Sequence, residues 1–192
     1  SSRSVHLSHI AEKIPGDAKN VSKSRRVRRF LKNSAIRVRA WYEPIARDLL
    51  QQVVAHGLEV RLLTDGTKVG FGHQLLMVAL AYRKRAIPIA WTWVNSARGH
   101  SSATKQRALL AYIHSLLPAG ARVTIAGDCE FGAVDVLKQL EQWKWGYVMR
   151  QKGDTRVKLP DQNPWWRFDS LVQKGGRPRR LPDAQLTRKH GY

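Results

Sequence analysis

The chain has 192 residues, 43% of them hydrophobic, which is enough for one core with a small accessory region. Its 34 Lys and Arg against 14 Asp and Glu give a formal charge of +20, far beyond what solubility requires, and point to a polyanion such as nucleic acid rather than to an acidic membrane surface. No run reaches the length of a membrane span, and the start SSRSVHLSH lacks the apolar stretch of a signal peptide.

The single cysteine, Cys129, excludes an internal disulfide framework and fits a reducing cytosol; with no second Cys or tight His cluster beside it, it reads as a small semi-buried filler. Ser1 at the start and the abrupt stop at Tyr192 suggest that sequence is missing at either end.

Residues 1–57 read as a short helical region. Val5, Ile10 and Ala11 predict a weak first helix that IPGDAKN ends. A second helix is expected over SKSRRVRRFLKN, with Val27, Phe30 and Leu31 on one side. From Lys23 to Arg39 the chain carries eight basic residues and no acidic one. Like charges three and four residues apart repel, so this helix gains from a polyanion alongside it. Lys23, Arg25, Arg26, Arg28, Arg29 and Lys32 are therefore the expected DNA contacts, against the plainer reading of a solvated face. Residues 36–56 predict a longer helix with Ile45, Leu49, Val53 and Trp41 facing inward.

The centre changes character. A strand is expected over 58–64, then apolar runs at 73–83 and 85–94 separated by Arg83, Lys84 and Arg85, which read as an antiparallel hairpin. Pro88 cannot donate a ladder hydrogen bond and belongs at an edge or bulge. SARGHSS is a turn, and Ser101 or Ser102 caps a helix running to about Leu117 with Leu109, Leu110, Ile113 and Leu117 on its apolar face.

A strand over 121–127, a helix over 133–142 packing Val134, Leu137 and Leu140, and a strand over 146–152 follow, with VKL at 157–159 a short continuation. Three strands in a meander, then helix, strand, helix, strand, is the order of an α/β ribonuclease-H-like mixed sheet with flanking helices, in which the first and fourth strands are parallel neighbours. Residues 58–160 form this core, and 161–192 form a basic Pro/Gly-rich segment with Trp165 and Trp166 as its large anchors. Of the other tryptophans, Trp91, Trp93, Trp143 and Trp145 read as core rather than as base-stacking platforms.

Two aspartates close apolar runs: Asp65 ends LEVRLLTDG and Asp128 ends ARVTIAGD. If both runs are neighbouring parallel strands, two carboxylates meet at one sheet edge, a site suited to hard divalent cations such as Mg²⁺ or Mn²⁺. The plainer alternatives are a turn at Asp65–Gly66 and a helix N-cap at Asp128. Two ions around a phosphate need more oxygen ligands than these two residues supply. Glu130 turns toward the ions, accepts a hydrogen bond from a basic side chain, or favours a helix dipole from the first turn. Lys68, His73, Arg150 and Lys152 fall near the strand ends; Lys68, Arg150 and Lys152 are expected to contact DNA phosphates, the last two from one strand face.

LLTDGTKVGFGHQLLMVALAYRKRAIPIAWTWV and VTIAGDCEFGAVDVLKQLEQWKWGYVMRQKGDTRV resemble the catalytic domain of IS4-type DDE transposases of bacterial insertion sequences, and residues 7–50 resemble the helical region that precedes it. The resemblance covers about residues 5–160 in collinear order. It implies that Asp65 and Asp128 are the first two catalytic acids of a two-metal-ion site that cuts DNA. The 3′-hydroxyl released then attacks target DNA. It also implies a DNA partner, dimers acting on DNA, and a cytoplasmic, nucleoid-associated protein.

The family's Asp-Arg second motif reads Asp128–Cys129–Glu130–Phe131 here, with one positive charge fewer. Its third acid, in a Tyr-x2-Arg-x3-Glu-x6-Lys pattern, has no counterpart among Glu130, Asp135, Glu141, Asp154, Asp161, Asp169 and Asp183. The expectation is a transposase core whose catalytic set is incomplete; a DNA-binding remnant and a stand-alone ribonuclease-H-like nuclease are the alternatives.

Overall fold

The computed structural model of the chain describes residues 4–70, 72–95, 101–172 and 180–187. Most of the expected SARGHSS turn and parts of the C-terminal segment (173–179 and 188–192) lie outside the described residues.

The chain divides into two compact units, Ser1–Pro44 and Ile45–Tyr192. In the first, helix α1 (Leu7–Glu12) packs on α2 (Asn20–Leu31), and α3 (Val38–Ala55) begins. Lys23 Nζ donates to Ile14 O at 2.8 Å, fastening α2 to the segment after α1. No side chain of α2 is buried. Its apolar positions are few between the arginines, and Phe30 stays 51% exposed with its ring edge-on to Trp41, centroids 6.5 Å apart. Arg28 and Arg29 lie in the last turn, where positive charge complements the helix dipole.

In the second unit the rest of α3 buries Ala46 and Leu50. The expected inward stripe is thus displaced toward Ala46 and Leu50, with Leu49 and Val53 half-buried. Ile45 is exposed, and so is Trp41 in the first unit. Two overlapping apolar stripes run along this helix, and the one carrying the small Ala46 is the one buried. Arg47 Nη1 donates to Ser115 O at 3.0 Å.

A mixed five-stranded sheet, ordered β3-β2-β1-β4-β5, is built from β1 (Val60–Val69), β2 (His73–Tyr82), β3 (Arg85–Asn95), β4 (Val123–Gly127) and β5 (Gly146–Met149). The β1–β2 and β2–β3 pairs are antiparallel, whereas β1–β4 and β4–β5 are parallel. This is the ribonuclease-H-like order expected from the sequence.

Helix α4 (Ala103–Leu116), capped by Ser102, connects β3 to β4 and packs on β3 and on α5 (Val134–Gln142), which in turn packs on β5. Leu62, Leu76, Val78 and Ile125 line the buried side of the sheet, with Leu110, Ile113, Leu137 and Leu140 from the helices. Each such side chain contributes about 1.5–3 kcal/mol on burial. The other side is open, with Leu63, Trp93 and Val148 exposed.

Tyr82 pairs with Arg85, so Arg83 and Lys84 form a two-residue hairpin turn, both at positive φ (44° and 63°). Pro88 sits on edge strand β3 at the register shift opposite Val78 and Ala79, as its missing N–H requires.

Several expectations change. Strand β1 continues to Val69, because β2 pairs with it as far as Val69↔His73; Asp65–Gly66 is extended strand, not a turn. Strand β5 stops at Met149, so Arg150 and Lys152 share no strand face. The run at 157–159 does not continue the main sheet: β6 (Arg156–Lys158) pairs with β7 (Trp165–Arg167) and β8 (Gln185–Leu186) in a separate antiparallel sheet. Trp145 is buried and Trp143 stacks on His114 at 4.4 Å between centroids. Trp93, by contrast, is 55% exposed because it lies on the open side of the sheet.

Candidate metal and phosphate site

The parallel β1–β4 ladder runs from Val60↔Val123 to Thr64↔Gly127, and the next residue in each segment is an aspartate, Asp65 within β1 and Asp128 just past the end of β4. Asp65 and Asp128 therefore stand side by side where the two central strands stop pairing. Both are exposed. Along β1, Leu62 and Thr64 are buried while Leu63 and Asp65 are not, which turns the Asp65 carboxylate toward the open side. Its Oδ1 accepts from Gly66 N at 2.8 Å. Asp128 Oδ1 accepts from Glu130 N at 2.9 Å and caps a short 3₁₀ turn, Cys129–Phe131. The capping reading of Asp128 thus holds alongside its place at the strand end.

Glycine flanks each aspartate for a packing reason. A Cβ at Gly127 would lie 2.7 Å from Thr64 Cγ2 and 3.1 Å from Met149 Sδ, and one at Gly66 would collide with the Gln74 amide nitrogen. The DG and GD pairs in the sequence mark close packing around the site rather than turns.

Glu130 neither joins the pair of aspartates nor sits free at a helix end. Its carboxylate accepts from Ser101 N (2.6 Å), Ser101 Oγ (2.5 Å) and Gln74 Nε2 (3.2 and 3.3 Å). Gln106 Nε2 donates to the Glu130 carbonyl at 3.1 Å and to Ser101 Oγ at 2.9 Å. Gln74 and Gln106 are both 1% exposed. Sequence reasoning missed this network, although a Gln within HQLLMVALAY and a Gln on the apolar side of α4 were its visible signal. Cys129 is half-buried and free, as a filler would be.

Among the basic residues expected at the site, Arg150 is the best placed: its backbone N–H donates to Gly127 O at 3.0 Å, holding it beside the Asp128 strand end. Lys152 follows in an exposed loop. Lys68 is three residues from Asp65 on a strand, an odd spacing that puts it on the opposite side of β1. His73 Nδ1 lies 3.0 Å from Asn95 Oδ1 on the neighbouring strand. In the first unit a groove of about 690 Å³ is lined by Ser22, Arg25, Arg26, Arg28, Arg29 and Lys32. Lys23 is not in that lining.

The donor set suits a hard cation. Two carboxylates, completed by waters and phosphate oxygens, are a common provision for one Mg²⁺ or Mn²⁺. Among the described residues, no group of three or more His, Cys, Asp or Glu comes together. No helix among the described residues is long and apolar enough to cross a membrane.

No family model and no curated protein matches the chain. Among solved structures it is similar to the catalytic domain of Mos1 mariner transposase, at 14% identity and a TM-score of 0.36 over 56% of this chain and 57% of that one. The same catalytic domain with raltegravir and Mn gives 13% identity and a TM-score of 0.37, and with raltegravir and Mg 14% and 0.37, each over 56% of this chain and 58% of that one. The chain thus spans well under two thirds of the length of the domains it resembles. The likeness is distant and leaves function to the residues of the site.

Proposed function

We propose that the chain carries the core of a DNA transposase of the DDE type, of the IS4-like group of bacterial insertion sequences, acting on DNA in the cytoplasm. The observation that carries this reading is the register Thr64↔Gly127, after which Asp65 and Asp128 follow as neighbours in a chain of net charge +20. Asp65 and Asp128 hold the divalent ion, and Arg150 offers positive charge to the phosphate beside it. A bound Mg²⁺ or Mn²⁺ supplies charge that polarises the phosphodiester and lowers the pKa of an attacking water or 3′-hydroxyl. The basic region of residues 1–57 binds the duplex through its phosphates, residues 58–160 carry the chemistry, and 161–192 form an accessory segment.

A second reading, DNA binding without turnover, is favoured by one observation: no third acid joins the pair among the described residues. Incubating the chain with supercoiled and linear DNA in Mg²⁺ or Mn²⁺, beside its Asp65→Asn and Asp128→Asn variants, separates the two. The transposase reading expects metal-dependent cleavage, slow because the catalytic set is incomplete, that each variant abolishes. Salt-sensitive binding with no cleavage in any form would favour the second reading, and cleavage indifferent to both substitutions would overturn the site.

A further inference from the structure

The Glu130 network lies on the buried side of β1, opposite the side to which Asp65 points, yet it joins the turn that Asp128 caps to the strand that pairs with β1 around Asp65. Gln74 belongs to β2, which pairs with β1 on both sides of Asp65. Ser101 immediately precedes the N-cap of α4. Glu130 itself sits in the turn that Asp128 caps. We infer that Glu130 is a positioning residue: it ties the Asp128 turn to β2 and to the start of α4, and so sets where the Asp128 carboxylate stands relative to Asp65. The inference rests on the metal-site reading above.

The chemistry of the contacts explains why an acceptor is needed there. Ser101 presents a backbone N–H, and its hydroxyl accepts from Gln106 Nε2 and so turns its own proton toward Glu130. Gln74 presents its amide nitrogen. All three groups donate, and a group with two acceptor oxygens satisfies them together. Gln74 Oε1, buried and without a hydrogen-bond partner among the described residues, adds a test. In Glu130→Gln the carbonyl oxygen can keep both Ser101 contacts while the new amide nitrogen donates to Gln74 Oε1, once the Gln74 amide turns over. The hydrogen bonds survive and the negative charge does not. A metal ligand and a positioning residue therefore respond oppositely to this one change.

Mn²⁺ binding to the full chain, followed by electron paramagnetic resonance, is the test, with circular dichroism confirming that each variant is folded. Wild type is expected to bind Mn²⁺ in a manner abolished by Asp65→Asn. Glu130→Gln should bind within about twofold of wild type, and Glu130→Ala about tenfold more weakly while folded, a tenfold change being about 1.4 kcal/mol of lost pre-organisation. Should Glu130→Ala fail to fold, Ser101→Ala and Gln74→Ala, which each loosen one tether, are expected to weaken Mn²⁺ binding by smaller factors. Equal affinity in wild type and Glu130→Ala, or in the two single-tether variants, would leave the metal site standing and overturn the positioning role. Equal loss in Glu130→Gln and Glu130→Ala would make the charge itself essential and overturn it too. No Asp65-dependent binding in wild type would remove the metal site, and this inference with it.

Discussion

Thr64 and Gly127 pair across the parallel β1–β4 ladder so closely that a Cβ added at Gly127 would stand 2.7 Å from the Thr64 methyl carbon. The two aspartates that follow are brought together by this pairing. Replacing Gly127 by Ala forces the strands apart or shifts Met149 and Phe131, at a cost of about 1–3 kcal/mol, the usual range for overpacking. Urea denaturation should show the lower stability, and an unchanged midpoint would mean that the strands have room the structure does not give them.

The basic helix makes a second claim. Replacing Arg25, Arg26, Arg28 and Arg29 by Ala should weaken duplex binding by similar factors for unrelated sequences. The slope of log affinity against log salt should fall by roughly 0.9 for each phosphate that the variant no longer neutralises. Fluorescence anisotropy across a salt series measures both. Binding untouched by the four changes would move the DNA-binding surface elsewhere.

Arg83 and Lys84 hold a left-handed turn without a glycine. Since a left-handed L-residue costs roughly 1–2 kcal/mol, Lys84→Gly should stabilise the fold by about 1 kcal/mol after the added freedom of the unfolded chain is counted. A higher midpoint of thermal or urea unfolding is the expected result. A lower one would show that the turn is not of this type.

At the start of the same parallel ladder, Glu59 accepts from Thr124 Oγ1 at 2.6 Å, and this bond, with a smaller contribution from Arg61, holds its pKa below the ordinary 4.5. A depressed carboxylate stabilises the fold above its unfolded pKa. That contribution disappears as pH falls through the folded value. Carbon-detected titration should find Glu59 below 4.5 and find it raised in Thr124→Val. A titration identical in both proteins would contradict the hydrogen bond.

Much of this is legible in the chain, for identifiable reasons. The runs at 58–64, 73–83, 85–94 and 121–127 are apolar with turn residues between them, and the sheet order follows from a meander and two crossover helices. Asp65 and Asp128 are legible because each ends such a run. What the chain hides depends on pairing. Nothing local shows that β1 continues past Gly66, since β2 holds that segment in the sheet. Likewise Glu130 reads as a spare acid because its partners, Ser101 and Gln74, are 29 and 56 residues away. On α3, Ile45–Leu49 and Ala46–Leu50 are both plausible stripes by period, and only packing chooses between them.

The central claim is that Asp65 and Asp128 form one cation site at the end of the β1–β4 ladder. Paramagnetic broadening by Mn²⁺, read residue by residue from amide NMR spectra, tests it without depending on turnover. The account predicts that the amides of Gly66, Cys129 and Arg150 broaden first, that those around Glu59 at the other end of the ladder do not, and that Asp65→Asn or Asp128→Asn removes the effect. Broadening centred elsewhere, or unchanged in both variants, would contradict it.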